Sequence, residues 1–448
     1  MAMVKIVVVA LLALVCYAKA DSKVICYYDH RSNFREGMGK FDIPFLEPAL
    51  QVCTHLIYGY AGINPDNYKM VPLNEAFDVN KDNYRHITEL KRRFPGLRVL
   101  LSVGGGNDIS GEGQERNLVY RTVLESVDHR LTFINSAKDL VKHYGFDGLD
   151  LAWEFPETKP KKIRSSFKQF FVNLKHKIVG ESVVDDKAEE HKEQFTALVR
   201  EIRNSFRHDG LLLSMSVLPN VNSTVYYDPR SLAPHLDFVS LRNFDFYTPH
   251  RNPKEADYTA PLYELLDRKA DENGDYQVRY WLQNAFPANK LIYGISTYGR
   301  TWRMTEDSGL TGVPPFYTEG PGEEGPYTKE VGLLAFPEIC SKIATPKEIQ
   351  AGYLGKLRKI NDPTKRFEYW NTTDVSKRFG TYAYRLPKDD KEGIWVSFED
   401  PDTVTSKASY VKAKGLGGVA IVDLTLDDFR GLCTGDKYPI LRAAKFGL

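Results

Sequence analysis

The chain has 448 residues, and its 60 Lys and Arg against 59 Asp and Glu leave a formal charge of +1. So even a balance gives no global field to hold nucleic acid or an anionic membrane surface, which argues against both as partners. The length is long for one globular core, but barrels routinely run past about 250 residues, so one barrel carrying an insertion competes well with two separate domains.

Residues 1–20 run from Lys5 through an apolar stretch, Ile6 to Tyr17, to Ala18-Lys19-Ala20. That charged, hydrophobic and small-residue order is that of a signal peptide, and it predicts a secreted, extracellular chain beginning at Asp21. The apolar run is shorter than the roughly 20 residues a membrane span needs, and no later stretch reaches it, so no membrane insertion is expected. Loss of Lys5 and Lys19 takes the formal charge from +1 to −1.

From there, short apolar, β-branched runs alternate with helical stretches, as buried parallel strands joined by crossover helices do. The expected strands are Val24–Tyr28, His55–Ala61, Arg98–Gly104, Phe146–Phe155, Leu211–Leu218, Leu236–Phe246, Leu291–Tyr298 and Gly418–Leu424. Eight such strands indicate an α/β fold, a closed (β/α)₈ TIM barrel. After the fourth, Glu157–Asp186 delays the next strong helix, Lys187–Phe206, and carries Lys159, Lys161, Lys162 and Arg164. This cluster reads as lysines on a solvated loop, with a sulfated-glycan contact as the alternative. Between the seventh and eighth strands, residues 303–398 are far too long for a loop. Their tyrosines, Pro-Gly turns and Tyr382-Ala383-Tyr384 suggest a small α+β insertion domain, leaving 21–302 and 399–448 to the barrel.

Of five cysteines, Cys16 leaves with the signal, and Cys26, Cys53, Cys340 and Cys433 remain. An even count in a secreted chain reads as two disulfides. Three pairings are open; the partition into two early and two late cysteines favours Cys26 with Cys53 and Cys340 with Cys433. No CxxC or Cys/His cluster suggests a metal site, and no cofactor is expected. Asn222-Ser223-Thr224 and Asn371-Thr372-Thr373 are acceptor sequons, so secretion makes Asn222 and Asn371 eligible for glycosylation.

The chemistry concentrates in Asp147-Gly148-Leu149-Asp150-Leu151-Ala152-Trp153-Glu154-Phe155-Pro156. Alternate residues of a strand share a face, so Asp150, Ala152 and Glu154 point one way and Leu149, Leu151 and Trp153 the other. In a barrel the first set faces the lumen, with Glu154 nearest the C-terminal mouth where barrel enzymes keep their sites. Carboxylates so placed are costly to bury without a purpose or a partner.

This run resembles the DGxDxDWE signature of glycoside hydrolase family 18, the chitinases. Ser102-Val103-Gly104-Gly105, similar to SxGG, Cys26-Tyr27-Tyr28, Tyr298-Gly299-Arg300, Gly417-Gly418 and Leu426-Asp427-Asp428 follow in family order. The resemblance implies substrate-assisted hydrolysis, in which the sugar's own acetamido oxygen attacks the anomeric carbon. It also assigns the parts. A Glu at position 154 protonates the leaving oxygen, the middle Asp holds the acetamido N–H, a strand-six Tyr hydroxyl steadies the acetamido carbonyl, and a strand-eight Trp floors the reacting sugar. Here Glu154 is kept, but the middle Asp is Ala152. Arg242-Asn243-Phe244-Asp245 stands where the family has MxYD, so Phe244 lacks the hydroxyl while Asp245 stays, and Val422 falls where the Trp is expected. Losing one electrostatic partner of a transition state costs on the order of 10²- to 10³-fold in rate, so efficient hydrolysis is not expected. Asp150, Glu154 and Asp245 then read as a vestigial, mutually hydrogen-bonded polar cluster.

Within the family the closest resemblance is to the insect imaginal disc growth factors, many of which carry Gln at the position of Glu154. The features that carry it are Ala152, the extra segment after strand four, Leu218-Pro219-Asn220-Val221-Asn222-Ser223-Thr224 and Phe244-Asp245-Phe246. It implies a secreted non-catalytic factor that promotes cell proliferation through an unidentified cell-surface receptor or matrix glycan. The alternatives are a chitin-binding lectin, with chito-oligosaccharide held on Tyr28, Tyr247, Tyr298 and Trp302, or a weakly active hydrolase using Glu154.

Overall fold

The structure, a computed structural model, describes residues 22–106, 116–159, 185–264, 268–308, 316–343, 347, 357–360, 380–387 and 392–448. The expected signal peptide (1–20), Asn371, and Lys161, Lys162 and Arg164 of the basic cluster lie outside the described residues. No helix among those described is long and apolar enough to cross a membrane.

Eight parallel strands form the expected barrel: β1 Lys23–Asp29, β2 His55–Ile63, β3 Arg98–Gly104, β4 Gly148–Ala152, β5 Leu212–Val217, β6 Phe238–Leu241, β7 Leu291–Ser296 and β8 Gly418–Val422. Each pairs with the next, and β8 pairs back onto β1, which closes the ring. Gly418 makes the closure possible: its φ is +147°, and a Cβ there would lie 1.9 Å from the Lys23 carbonyl oxygen. No other residue fits so close a backbone approach.

The alternation read from sequence governs the packing. Outward residues such as Tyr28, Leu149, Leu151, Trp153, Val239 and Leu241 share one core with the surrounding helices, whereas Ile25, Tyr27, Ile57, Leu100, Phe238 and Ile292 pack inside the ring. Trp153 meets Tyr120 and Phe133 edge-on, with ring centroids 4.9 and 5.6 Å away. The helix Val127–Tyr144 is capped by the Ser126 side chain and stopped by Gly145 at φ 74°. The strong helix after the fourth strand is Ala188–Phe206.

Several strands are shorter than their apolar runs. β4 ends at Ala152 rather than Phe155, β6 covers only Phe238–Leu241 of the expected Leu236–Phe246, and β8 stops at Val422. Beyond these points the chain leaves the ladder to build the mouth, and apolar residues there are buried by loops instead. Tyr298 belongs not to β7 but to a second, antiparallel sheet, ordered Leu333–Ala335, Tyr298–Met304, Gly393–Phe398, Thr381–Arg385 and Arg358–Ile360. Cys26 is bonded to Cys53 and Cys340 to Cys433, the favoured pairing. The second bond ties the helix Phe336–Cys340 of this region to the segment after β8.

At the N-terminal end of the barrel, His55 opens β2 with Nδ1 2.8 Å from the Thr54 hydroxyl and its ring edge-on to Phe238. Burial, reinforced by Lys23 and Arg98, pulls its pKa down to about 4. The unfolded chain takes up a proton near pH 6.5, so this histidine's contribution to stability is full above that pH and is lost as pH falls toward 4. We predict that His55→Gln flattens the fall in urea midpoint between pH 6.5 and 4, by up to about 1.4 kcal/mol per pH unit. A variant with the wild-type slope would contradict this assignment.

Candidate functional site

A polar group sits within the lumen. Asp150, fully buried on β4, accepts from Ser214 (2.7 Å), Ser102 (2.8 Å), Ser216 (3.3 Å) and Tyr27 (3.4 Å). β3, β5 and β1 supply these donors because parallel register puts Ser102 and Ser214 beside Asp150 on the neighbouring strands. Burial nevertheless raises the Asp150 pKa, with the hydroxyls and Arg242 pulling the other way.

Above this level the mouth opens as a cleft of about 680 Å³, lined among others by Glu154, Asp245, His250, Arg251, Arg300 and Glu330. Glu154 is 3% exposed, and its Oε1 accepts from the backbone N–H of Gly106 at 2.8 Å. Asp245 sits at φ +58°, a region Asp tolerates better than most residues. Its carboxylate accepts from Arg300 Nε (2.8 Å) and Nη2 (2.7 Å), Tyr298 Oη (2.7 Å) and Thr259 (3.3 Å). Burial works against its charge, but the Arg300 guanidinium outweighs that and holds the pKa below the usual carboxylate range.

The structure brings Glu154 and Asp245 to one cleft and leaves Asp150 beneath it. Asp150 and Asp245 do not bond one another as expected: Asp150 takes luminal hydroxyls, Asp245 takes Arg300, Tyr298 and Thr259, and Glu154 accepts from the Gly106 amide. Ala152 is buried next to Gly104 in the β3–β4 ladder. Phe244 and Val422 pack in the luminal cluster with Tyr298, Leu333 and Leu426.

The four aromatic rings expected to carry sugar are placed otherwise. Tyr28 faces out of the barrel, against Phe41 and Tyr58, with its hydroxyl bound by Asn33. The luminal residue is Tyr27, one step along the pleat. Trp302 is fully buried in the core of the second sheet beside Trp395, its Nε1 donating to Asn252 O at 2.9 Å. Tyr247 lies in the same core. Tyr298 is engaged in supporting Asp245 and lies 6.1 Å from the Phe244 ring. Asn222 caps the short helix Ser223–Tyr226, its Oδ1 accepting from Thr224 N (2.9 Å) and Oγ1 (2.8 Å).

Sequence reasoning missed Tyr27, Ser214, Ser216 and Tyr60 as parts of the site, and gave Arg242 no role. The signal was present: Ser214 and Ser216 alternate with apolar residues, as do Ser240 and Arg242, the same period of two that placed Asp150.

Compared with known proteins, the chain matches the family described as Glycosyl hydrolases family 18 over residues 23–427. It is 52% identical to the chitinase-like protein Idgf4 of Glossina morsitans morsitans, over 96% of this chain and 94% of that protein. It is 49% identical to imaginal disk growth factor 6 of Drosophila melanogaster, over 95% and 93%. Among solved structures it resembles human YKL-39, described as a pseudo-chitinase with retained chitooligosaccharide binding properties. That match has a TM-score of 0.72 and 27% identity, covering 95% of this chain and 99% of that one.

Because Arg300 and Asp245 are both largely buried, removing one partner strands the other's charge. We expect Arg300→Met or Asp245→Asn alone to cost about 3–5 kcal/mol in urea unfolding. The double variant should cost clearly less than the sum of the two, whereas strict additivity would show that the pair is not coupled.

Proposed function

The chain belongs to glycosyl hydrolases family 18, and from that premise we propose that it is a secreted chitinase-like protein that binds carbohydrate without cleaving it and promotes cell proliferation. One observation carries the loss of catalysis. Where the reacting sugar's acetamido group needs a carboxylate and a hydroxyl, the barrel offers Ala152 and Phe244, and Val422 stands at the expected floor inside a packed apolar cluster. Glu154 keeps the proton donor of the family pattern, but a general acid acts on a leaving group only when the nucleophile is held and the developing charge is met. With two such partners gone, proton donation alone gives no efficient turnover.

The cleft that remains, with Glu154, Asp245 and Arg300 at its base, supports binding. The retained chitooligosaccharide binding described for human YKL-39 supports the same reading. The similarity to imaginal disk growth factor 6 supports an extracellular mitogenic role. The expected glycosylation of Asn222 belongs with secretion.

On a fluorogenic chito-oligosaccharide, the purified protein is expected to match its Glu154→Gln variant and to fall at least about 10³-fold below an active chitinase. Both forms should stimulate insect cells in culture equally. Glu154-dependent turnover would overturn the non-catalytic reading, and equal inactivity on cells would remove the growth-factor part of it.

A further inference from the structure

On β6 and its continuation, Phe238, Ser240, Arg242 and Phe244 alternate into the lumen, and Arg242 is the residue that the proposed function leaves without a task. Its side chain is 8% exposed. Nη2 donates to Tyr60 Oη at 2.9 Å, and the guanidinium lies 5.1 Å from the centre of the Tyr27 ring and 5.7 Å from that of Tyr60. Nε is buried without a hydrogen-bond partner. A cation confined this way is held by two aromatic faces and by the charge of Asp150 below it. The family pattern has an uncharged Met here. Relative to that pattern the lumen has lost one negative charge at Ala152 and gained one positive charge at Arg242, so the buried Asp150 keeps a counter-charge.

The same position bears on what the cleft can admit. Ala152 and Phe244 stand where the family grips the acetamido group at C2 of the bound sugar, and Arg242 is the next luminal residue below Phe244. The cleft is lined by Glu154, Asp245 and Arg300, while Tyr27, Ala152, Arg242 and Phe244 do not line it.

We propose that Arg242 determines the specificity of the cleft: its guanidinium, clamped on Tyr27 and Tyr60, closes the acetamido pocket. The protein therefore accepts β-1,4-linked hexopyranose chains across its mouth without selecting for the N-acetyl group. This rests on the carbohydrate-binding reading above and names the ligand class for that site.

The test compares two neutral tetramers that differ only at C2, N-acetylchitotetraose and cellotetraose, by calorimetric titration of the full protein. Wild type should bind both within about threefold. Arg242→Met should favour the N-acetylated tetramer by at least about tenfold, a floor set by what even one methylene is worth in a fitted pocket. Because that variant strands Asp150, Arg242→Met/Asp150→Asn is measured beside it and should show the same shift. If Arg242 served only as a counter-charge to Asp150, both affinities would move together and their ratio would stay put, which overturns the proposal. A wild-type protein already selecting the N-acetylated tetramer tenfold overturns it too, as does loss of that preference in the variants, which would mean that the guanidinium grips the acetamido oxygen. If wild type binds neither tetramer, the carbohydrate-binding reading fails. In that case a gain of N-acetylchitotetraose binding in the variants still supports closure by Arg242, and no gain rejects it.

Discussion

A carboxylate at the centre of a closed barrel is the constraint around which the rest of this lumen is arranged. Asp150 is fully buried, so three strands and the turn after β6 must answer its charge: hydroxyls from Ser102, Ser214, Ser216 and Tyr27, and the guanidinium of Arg242 held over Tyr27. Burying an unanswered charge would cost several kcal/mol, a large fraction of a domain's whole stability. The polar level of the lumen is therefore as strongly specified as the apolar level beneath it, where Ile25, Ile57, Leu100, Phe238 and Ile292 fill the ring.

Phe244 and Val422 belong to one packed apolar unit. Phe244 follows β6 and Val422 ends β8, the two strands that flank β7, and both share a cluster with Tyr298, Leu333 and Ala335, which belong to the second sheet. What survives with ordinary polar satisfaction is the mouth: Glu154 on the Gly106 amide, and Asp245 locked by Arg300, Tyr298 and Thr259.

The two layers also differ in what supports them. The barrel strands are tied by a continuous parallel ladder, and Cys26–Cys53 joins the middle of β1 to the segment just before β2. The region between β7 and β8 is held by its own aromatic core, Trp302 against Trp395 and Tyr382, and by Cys340–Cys433 to the C-terminal segment. Asp245 is the joint between them: its backbone follows β6, and its carboxylate is gripped by Tyr298 and Arg300 from the second sheet.

The sequence by itself determined the eight strands, the closed α/β class, the inward aim of Asp150 and the family resemblance. These follow from local period and ordered motifs, which every residue carries in its neighbours. Only the tertiary structure decided which aromatic rings reach the lumen, since a one-residue step along the pleat separates the buried, outward Tyr28 from Tyr27. It also decided where strands end, because β4 and β6 yield to loop packing at the mouth rather than to any change in hydrophobicity. And it gave Arg242 its meaning: a lone arginine in an apolar stretch acquires a role only when β1, β2 and β4 bring Tyr27, Tyr60 and Asp150 around it, across 92 to 215 positions of chain.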